Sequence, residues 1–369
     1  MAGNAKPTPV LLLVRELGLG GSERQCAEIA KALDRSRFHV HVGCMRDGFR
    51  GTELRASGVP VTVFPVRSLY DPSCWSGLWR LNRYLRRHNI QLAHAFDVPM
   101  NLFAVPSSRL FRTPVVLASQ RAFRDLTPGM TRRLLRITDR FADGIVVNGE
   151  AVRRHLIEDE SVRPERIHLC YNGIDLSQFS FQARQETPKL TVGVVCALRP
   201  EKDLATLIRA FAHARQPHWR LLVVGSGPCL AELQKLARDL EIASAVTFQP
   251  TTDQVPAWLY KIDIFVLPSL SEAFSNSLME AMACGCAVVA SRVGGNPELV
   301  IPDQTGLLFQ AGQSEDLAAA LERLAENHAL RQQLASSGSE LVHTRFSLAA
   351  AARRMAEIYS ALLQAGNSR

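Results

Sequence analysis

The chain has 369 residues, 47% of them apolar and 21% charged, as in an ordinary globular protein with room for two separate cores. No apolar run approaches the roughly 20 residues that span a bilayer, and the run at 10–14 meets Arg15 too soon for a signal peptide. Residues 1–178 carry 26 Lys and Arg against 17 Asp and Glu, while residues 179–369 carry 17 against 18. The first half is therefore expected to face something anionic. Scattered charge with few interleaved aromatics argues against nucleic acid.

In chain order, residues 10–14 read as a buried strand, followed by the turn Leu17-Gly18-Leu19-Gly20-Gly21 and an amphipathic run at 25–33. Glycines between strand and helix let backbone N–H groups approach a phosphate or sugar, although a tight turn without a ligand explains them equally. Glu23 stands at the third glycine position of a dinucleotide fingerprint, so that fingerprint is incomplete. Strands are expected at 40–45, 61–66 and 90–96, with an amphipathic helix at 78–87. The 90–96 run places His94 and Phe96 on one face and ends at Asp97, where open α/β sheets bind ligands. His94 is a candidate catalytic residue there; a hydrogen-bonded structural histidine is the alternative. After a strand at 114–118, the helix 131–141 gathers Arg132, Arg133, Arg136 and Arg140 mostly on one face. That face reads either as solvated charge or as a dock for anionic lipid headgroups. The run 144–147 closes the first sheet, and the polar stretch 180–188 reads as a linker.

The second half restarts the alternation, with strands at 190–197, 221–224, 246–248, 264–267, 287–290 and 306–309. Arg199 and Lys202 sit where a strand ends and a helix begins, a place where two cations suit a diphosphate; ordinary surface charges are the alternative. The stretch 267–300 is a strand–loop–helix–strand unit in which Glu272 and Glu280 are separated by seven residues. Backbone from Phe274 through Ser275 and Asn276 opens the helix and suits an anion, whereas the carboxylates suit sugar hydroxyls. Ser277 with Glu280 also reads as a capping box. The helices 315–325, 329–335 and 346–364 end the chain. The eight cysteines match no metal spacing and read as free thiols of a reducing cytoplasm.

These alternations predict an α/β protein of two Rossmann-like domains facing across a cleft, spanning 1–178 and 189–349, with 350–369 crossing back to the first. At this point the chain resembles the family 4 (group 1) glycosyltransferases of the GT-B architecture. The resemblance runs through LGLGGSERQ, DGIVVNGEAVRRHL, YNGIDLSQF, ALRPEKDLATLIRAF, LLVVGSGP and, most specifically, the E-x7-E pair within SEAFSNSLMEAMACGCAVVASRVGGNPELV. It implies that Arg199 and Lys202 neutralise the diphosphate of a nucleotide sugar and that Glu272 contacts the sugar. Phe274, Ser275 and Asn276 would supply nearby backbone, Glu280 would hold the ribose, and Gly20 and Gly21 would close the cleft. It implies retaining, front-face transfer with neither metal nor cofactor; the basic first half, rather than the resemblance, points to a lipid-linked or cell-envelope glycan as acceptor, at the cytoplasmic side of a membrane. One departure stands out: where members carry H-x-H at the fourth strand, this chain has His94 followed by Phe96. A sucrose- or trehalose-type synthase and a catalytically silent nucleotide-sugar-binding protein are the competing readings.

Overall fold

The computed structural model describes residues 6–68, 71–185 and 189–367. Of the linker expected at 180–188, residues 186–188 lie outside them. The chain divides into two compact units, residues 1–173 with 348–369, and residues 174–347.

The first unit is built on a parallel sheet of seven strands, ordered β3-β2-β1-β4-β5-β6-β7. They are β1 (Thr8–Glu16), β2 (Phe38–Arg46), β3 (Val61–Val63), β4 (Leu92–Ala95), β5 (Val115–Gln120), β6 (Gly144–Val147) and β7 (Ile167–Leu169). Strand period 2 sends alternate residues of β1 to opposite cores. Val10, Leu12 and Val14 join Cys26 and Ile29 of helix Gly21–Ala32 and Met355 and Tyr359 of helix Leu348–Asn367. Leu11 and Leu13 join Leu81 and Leu85 of helix Ser73–Arg87 and Met100 and Phe103 of helix Val98–Leu110. Burial on both faces explains why β1 reads as an unbroken apolar run.

Two sequence expectations change here. The sheet ends at β7 rather than at 144–147, because Ile145 to Val147 pair with Ile167 to Leu169. A helix fills Val98–Leu110, a stretch for which the sequence reading placed no element. Pro99 falls in its first turn, where no N–H partner is needed, and the Asp97 carboxylate caps it by accepting from the Met100 N–H at 2.9 Å.

The second unit holds six parallel strands in the order β10-β9-β8-β11-β12-β13. These are β8 (Leu190–Val195), β9 (Trp219–Val224), β10 (Val246–Gln249), β11 (Ile264–Leu267), β12 (Ala287–Ser291) and β13 (Leu307–Phe309). From β8 the chain winds outward through β9 and β10; from β11 it winds the other way. The loops leaving β8 and β11 therefore part at a topological switch point, the crevice where open α/β sheets bind ligands. The first sheet has the same reversal between β1 and β4.

Candidate functional site

In the second unit, β8 feeds a short turn at Pro200–Lys202 and β11 feeds the loop that carries Glu272. Side by side in the sheet, these strands bring together residues seventy positions apart: Lys202 Nζ lies 2.5 Å from Glu272 Oε2. The two side chains are only 19% and 13% exposed. Burial pulls the Lys202 pKa down, but the adjacent Glu272 carboxylate outweighs it and holds the ammonium above its ordinary value. Lys202 is thus charged at neutral pH. Burial pushes the neighbouring Cys196 thiol up to about 12, which keeps it neutral.

Backbone contacts fix the two loops to one another. The Leu270 N–H donates to the Glu201 carbonyl at 2.9 Å, and the Gly295 N–H donates to the Glu272 carbonyl at 3.0 Å. A Cβ at Gly295 would stand 2.1 Å from the Ala273 carbonyl oxygen, so only glycine permits that approach. Behind Glu272, the Ser269 hydroxyl lies 3.4 Å from its carboxylate, and the Ser291 hydroxyl donates to the Ser269 carbonyl at 2.5 Å. Asn296 Nδ2 then donates to the Ser291 carbonyl at 3.0 Å. Sequence reasoning did not single out Ser269, Ser291 or Asn296; all three sit at or just beyond the ends of β11 and β12, the position that marked Glu272. The loop after β9 also closes on this region. Gly225, at φ 150°, would place a Cβ 1.8 Å from the Cys196 carbonyl oxygen, and the Leu198 N–H donates to the Ser226 carbonyl at 3.0 Å.

The capping-box reading of Glu280 fails on geometry. Ser275, not Ser277, is the N-cap of helix Asn276–Ala283, its hydroxyl accepting from the Leu278 N–H at 3.2 Å. Glu280 therefore lies beyond the first turn, with its residue 4% exposed. Phe274 is buried against Phe346, ring centroids 5.2 Å apart. Asn276, half-buried, opens the helix and its positive dipole end. Arg199 is placed differently from Lys202. Its side chain is 63% exposed, lies 3.9 Å from Glu201, and lines a groove with Asp203, Arg209 and Glu232.

In the first unit, Gly20 is the N-cap of helix Gly21–Ala32 and follows β1 at the switch-point edge of that sheet. His94 is fully buried on β4. Its Nδ1 lies 2.7 Å from the Tyr359 hydroxyl and its Nε2 2.8 Å from the Ser119 hydroxyl. Burial, aided by the Arg121 charge, holds its pKa well below the ordinary value, so the ring is neutral. Both nitrogens are bonded within the protein. Arg121 stacks over Phe96 at 4.8 Å and donates to Asn172 Oδ1 at 2.7 Å. Asp97 accepts from two backbone N–H groups, those of Arg15 and Met100, and burial pushes its pKa up to about 6. The basic helix expected at 131–141 is Gly129–Thr138, and two of its arginines are already engaged. Arg136 Nε reaches Glu160 at 2.6 Å, and Arg132 pairs with both Glu160 and Asp125. Among the described residues no cluster of His, Cys, Asp and Glu is placed to hold a metal ion, and no helix is long and apolar enough to cross a membrane.

Two family descriptions match the chain in succession: Glycosyltransferase Family 4 over residues 19–178 and Glycosyl transferases group 1 over residues 177–341. The chain is 38% identical over 198 residues to a D-inositol 3-phosphate glycosyltransferase of Mycobacteroides abscessus, covering 50% of this chain and 44% of that one. It spans about half the length of such relatives. A Campylobacter jejuni protein is 28% identical over 344 residues, covering 87% of this chain and 91% of its own. That protein is an N-acetylgalactosamine-N,N'-diacetylbacillosaminyl-diphospho-undecaprenol 4-alpha-N-acetylgalactosaminyltransferase. The fold matches that of Anabaena Alr3699/HepE, a structure in complex with UDP, with a TM-score of 0.84, 24% identity and coverage of 96% of this chain and all of that one.

Proposed function

Since the chain belongs to the group 1 and family 4 glycosyltransferases, we propose that it moves a sugar from a nucleoside-diphosphate sugar to a hydroxyl acceptor with retention of anomeric configuration. The observation that carries this reading is the Lys202–Glu272 contact at the switch point of the second sheet. A donor has two chemically opposite ends beside the scissile bond, an anionic diphosphate and a polyhydroxylated ring. Lys202 supplies a positive charge for the first, and Glu272 supplies acceptor oxygens for hydroxyls of the second. The N-terminus of helix Asn276–Ala283 adds backbone N–H groups behind the phosphates, and Glu280 accepts from the ribose hydroxyls. Arg199, more exposed, reaches the distal phosphate by a side-chain rotation.

In the transfer, the bond from the anomeric carbon to the β-phosphate oxygen breaks as the acceptor oxygen bonds on the same face. The acceptor proton passes to the departing phosphate oxygen, leaving a glycoside and a nucleoside diphosphate. The charge that develops on the phosphate is met by Lys202 and the helix dipole, a stabilisation that needs no protein nucleophile and no metal. Glu272 orients the ring. His94, buried and bonded through both nitrogens, positions the end of β4 rather than moving a proton. The basic first half and the undecaprenol-linked acceptor in the Campylobacter relative's name favour a lipid-linked or envelope glycan as acceptor. Eight unpaired cysteines and a nucleotide-sugar donor suit the cytoplasmic side of the membrane.

Thermal shift with UDP, GDP, ADP and their sugars tests the reading, since a ligand at about 100 times its Kd stabilises by about 2.7 kcal/mol. One nucleotide series is expected to raise the melting temperature. Glu272→Ala should then abolish transfer while free nucleotide still binds; full turnover by that variant would overturn the assignment. A protein that binds the donor yet never turns it over would instead be a silent binder, and salt-insensitive transfer to a free sugar would mark a soluble-acceptor synthase.

A further inference from the structure

The helix Ser73–Arg87 carries an outer face that the transfer reaction does not use. Its inner side is anchored by Leu81 and Leu85, buried in the same core as Met100 and Phe103. Its outer side exposes Trp75 at 77% and Trp79 at 61%, together with Arg80, Arg83, Arg86 and Arg87. At 3.6 residues per turn these six side chains fall within a sector of about 140°. The helix holds no acidic residue, and among the described residues none of the four arginines pairs with a carboxylate. The Arg83 guanidinium lies over an aromatic ring instead, 5.4 Å from the Trp79 centroid.

Proximity to the helix C-terminus accounts for Arg86 and Arg87 as dipole partners, but not for Arg80 or Arg83. Nor, among the described residues, does any contact cover these two exposed tryptophans, although large aromatic rings are ordinarily mostly buried. Indole beside guanidinium on one face is the chemistry of a bilayer interface, where the ring lies at headgroup level and the cation meets lipid phosphates. The basic helix Gly129–Thr138 offers less of this, because Glu160 has taken two of its arginines.

We propose that the outer face of Ser73–Arg87 docks the protein on an anionic phospholipid surface, the tryptophans entering the headgroup layer and the four arginines binding lipid phosphates. This deepens the lipid-linked acceptor reading, but its test is separate from that of the donor.

The wild-type protein is sedimented with phosphatidylcholine vesicles and with phosphatidylcholine–phosphatidylglycerol vesicles, at low and high salt. Binding is expected only to the anionic vesicles, weakening with salt, and with a shift of tryptophan emission to shorter wavelength. Arg80→Glu and Arg83→Glu should each lower binding by about fivefold or more. The pair Trp75→Ser and Trp79→Ser should lose both the binding and the emission shift. No binding to either vesicle, equal binding to both, or binding untouched by these substitutions would overturn the proposal, including in favour of a protein partner. All six side chains are exposed, so the variants should keep the wild-type melting temperature and the nucleotide-induced shift, which separates failure here from failure of the donor site.

Discussion

The contact between Lys202 and Glu272 makes a quantitative prediction. At 2.5 Å and an effective dielectric of about 20, unit charges attract by about 7 kcal/mol. With side chains only 19% and 13% exposed, each ion has lost much of its hydration, a cost of several kcal/mol apiece. The net coupling should then be about 1–3 kcal/mol, above the value of a pair at the open surface. Lys202→Met keeps the apolar stem of the side chain and removes its charged end, leaving the Glu272 carboxylate with the Ser269 hydroxyl at 3.4 Å. That variant and Glu272→Gln should each destabilise the second unit, and the double variant should cost little more than either. Urea unfolding followed by tryptophan fluorescence in a Trp75→Phe, Trp79→Phe background isolates that unit, since the remaining Trp219 and Trp258 both belong to it. Lys202→Met should also raise the Kd of the nucleoside diphosphate about 10- to 100-fold, the loss of one charge-assisted hydrogen bond. A coupling below about 0.5 kcal/mol would refute the claim that these two side chains hold one another.

Gly295→Ala puts a methyl 2.1 Å from the Ala273 carbonyl oxygen and must displace the segment that bears Glu272. Turnover should fall by about 100-fold while stability drops by about 1–3 kcal/mol, and unchanged steady-state kinetics would count against that segment. Arg124 is fully buried, with Nη1 2.8 Å from Asp139 and 3.6 Å from Glu160. Arg124→Leu should cost the first unit about 3–5 kcal/mol in urea unfolding, because two largely buried carboxylates lose their shared cation. Burial raises Asp97 from 3.8 to about 6, so the folded chain binds a proton there that the unfolded chain releases between those values. Its contribution to stability is greatest below about pH 4 and declines as pH rises to about 6; Asp97→Asn should flatten that part of the pH–stability curve.

The strands were legible because burial on both sides of a parallel sheet leaves continuous apolar runs, as in β1, β6 and β11. Helix Val98–Leu110 was not: it carries Pro99 and Pro106, and the first-turn position of one and the Asp97 cap are seen only in the fold. The reading of Ser277 as a cap missed by two residues, a usual scale of error at helix ends, and that displacement alone removes the structural explanation offered for Glu280. Lys202 and Glu272 could each be placed at a strand end from the sequence. Their meeting depends on β8 lying beside β11, which no local pattern encodes. His94 shows the same limit: its hydrogen-bond partner Tyr359 follows 265 residues later. Likewise, Glu160 engages Arg132 and Arg136 from outside their helix, so the free basic face is found instead on Ser73–Arg87.

The helix Leu348–Asn367 has a consequence for how the molecule is made. Met355 and Tyr359 fill the core beside Val10 and Leu12, and the Arg37 side chain donates to the Ser360 hydroxyl at 2.7 Å. A ribosome that has released residues 1–173 has therefore not yet supplied that core's last wall, whereas residues 174–347 are contiguous and complete their unit without the terminal helix. A released chain truncated before residue 348 should hold a folded second unit and an incomplete first one. The half translated earliest is finished last.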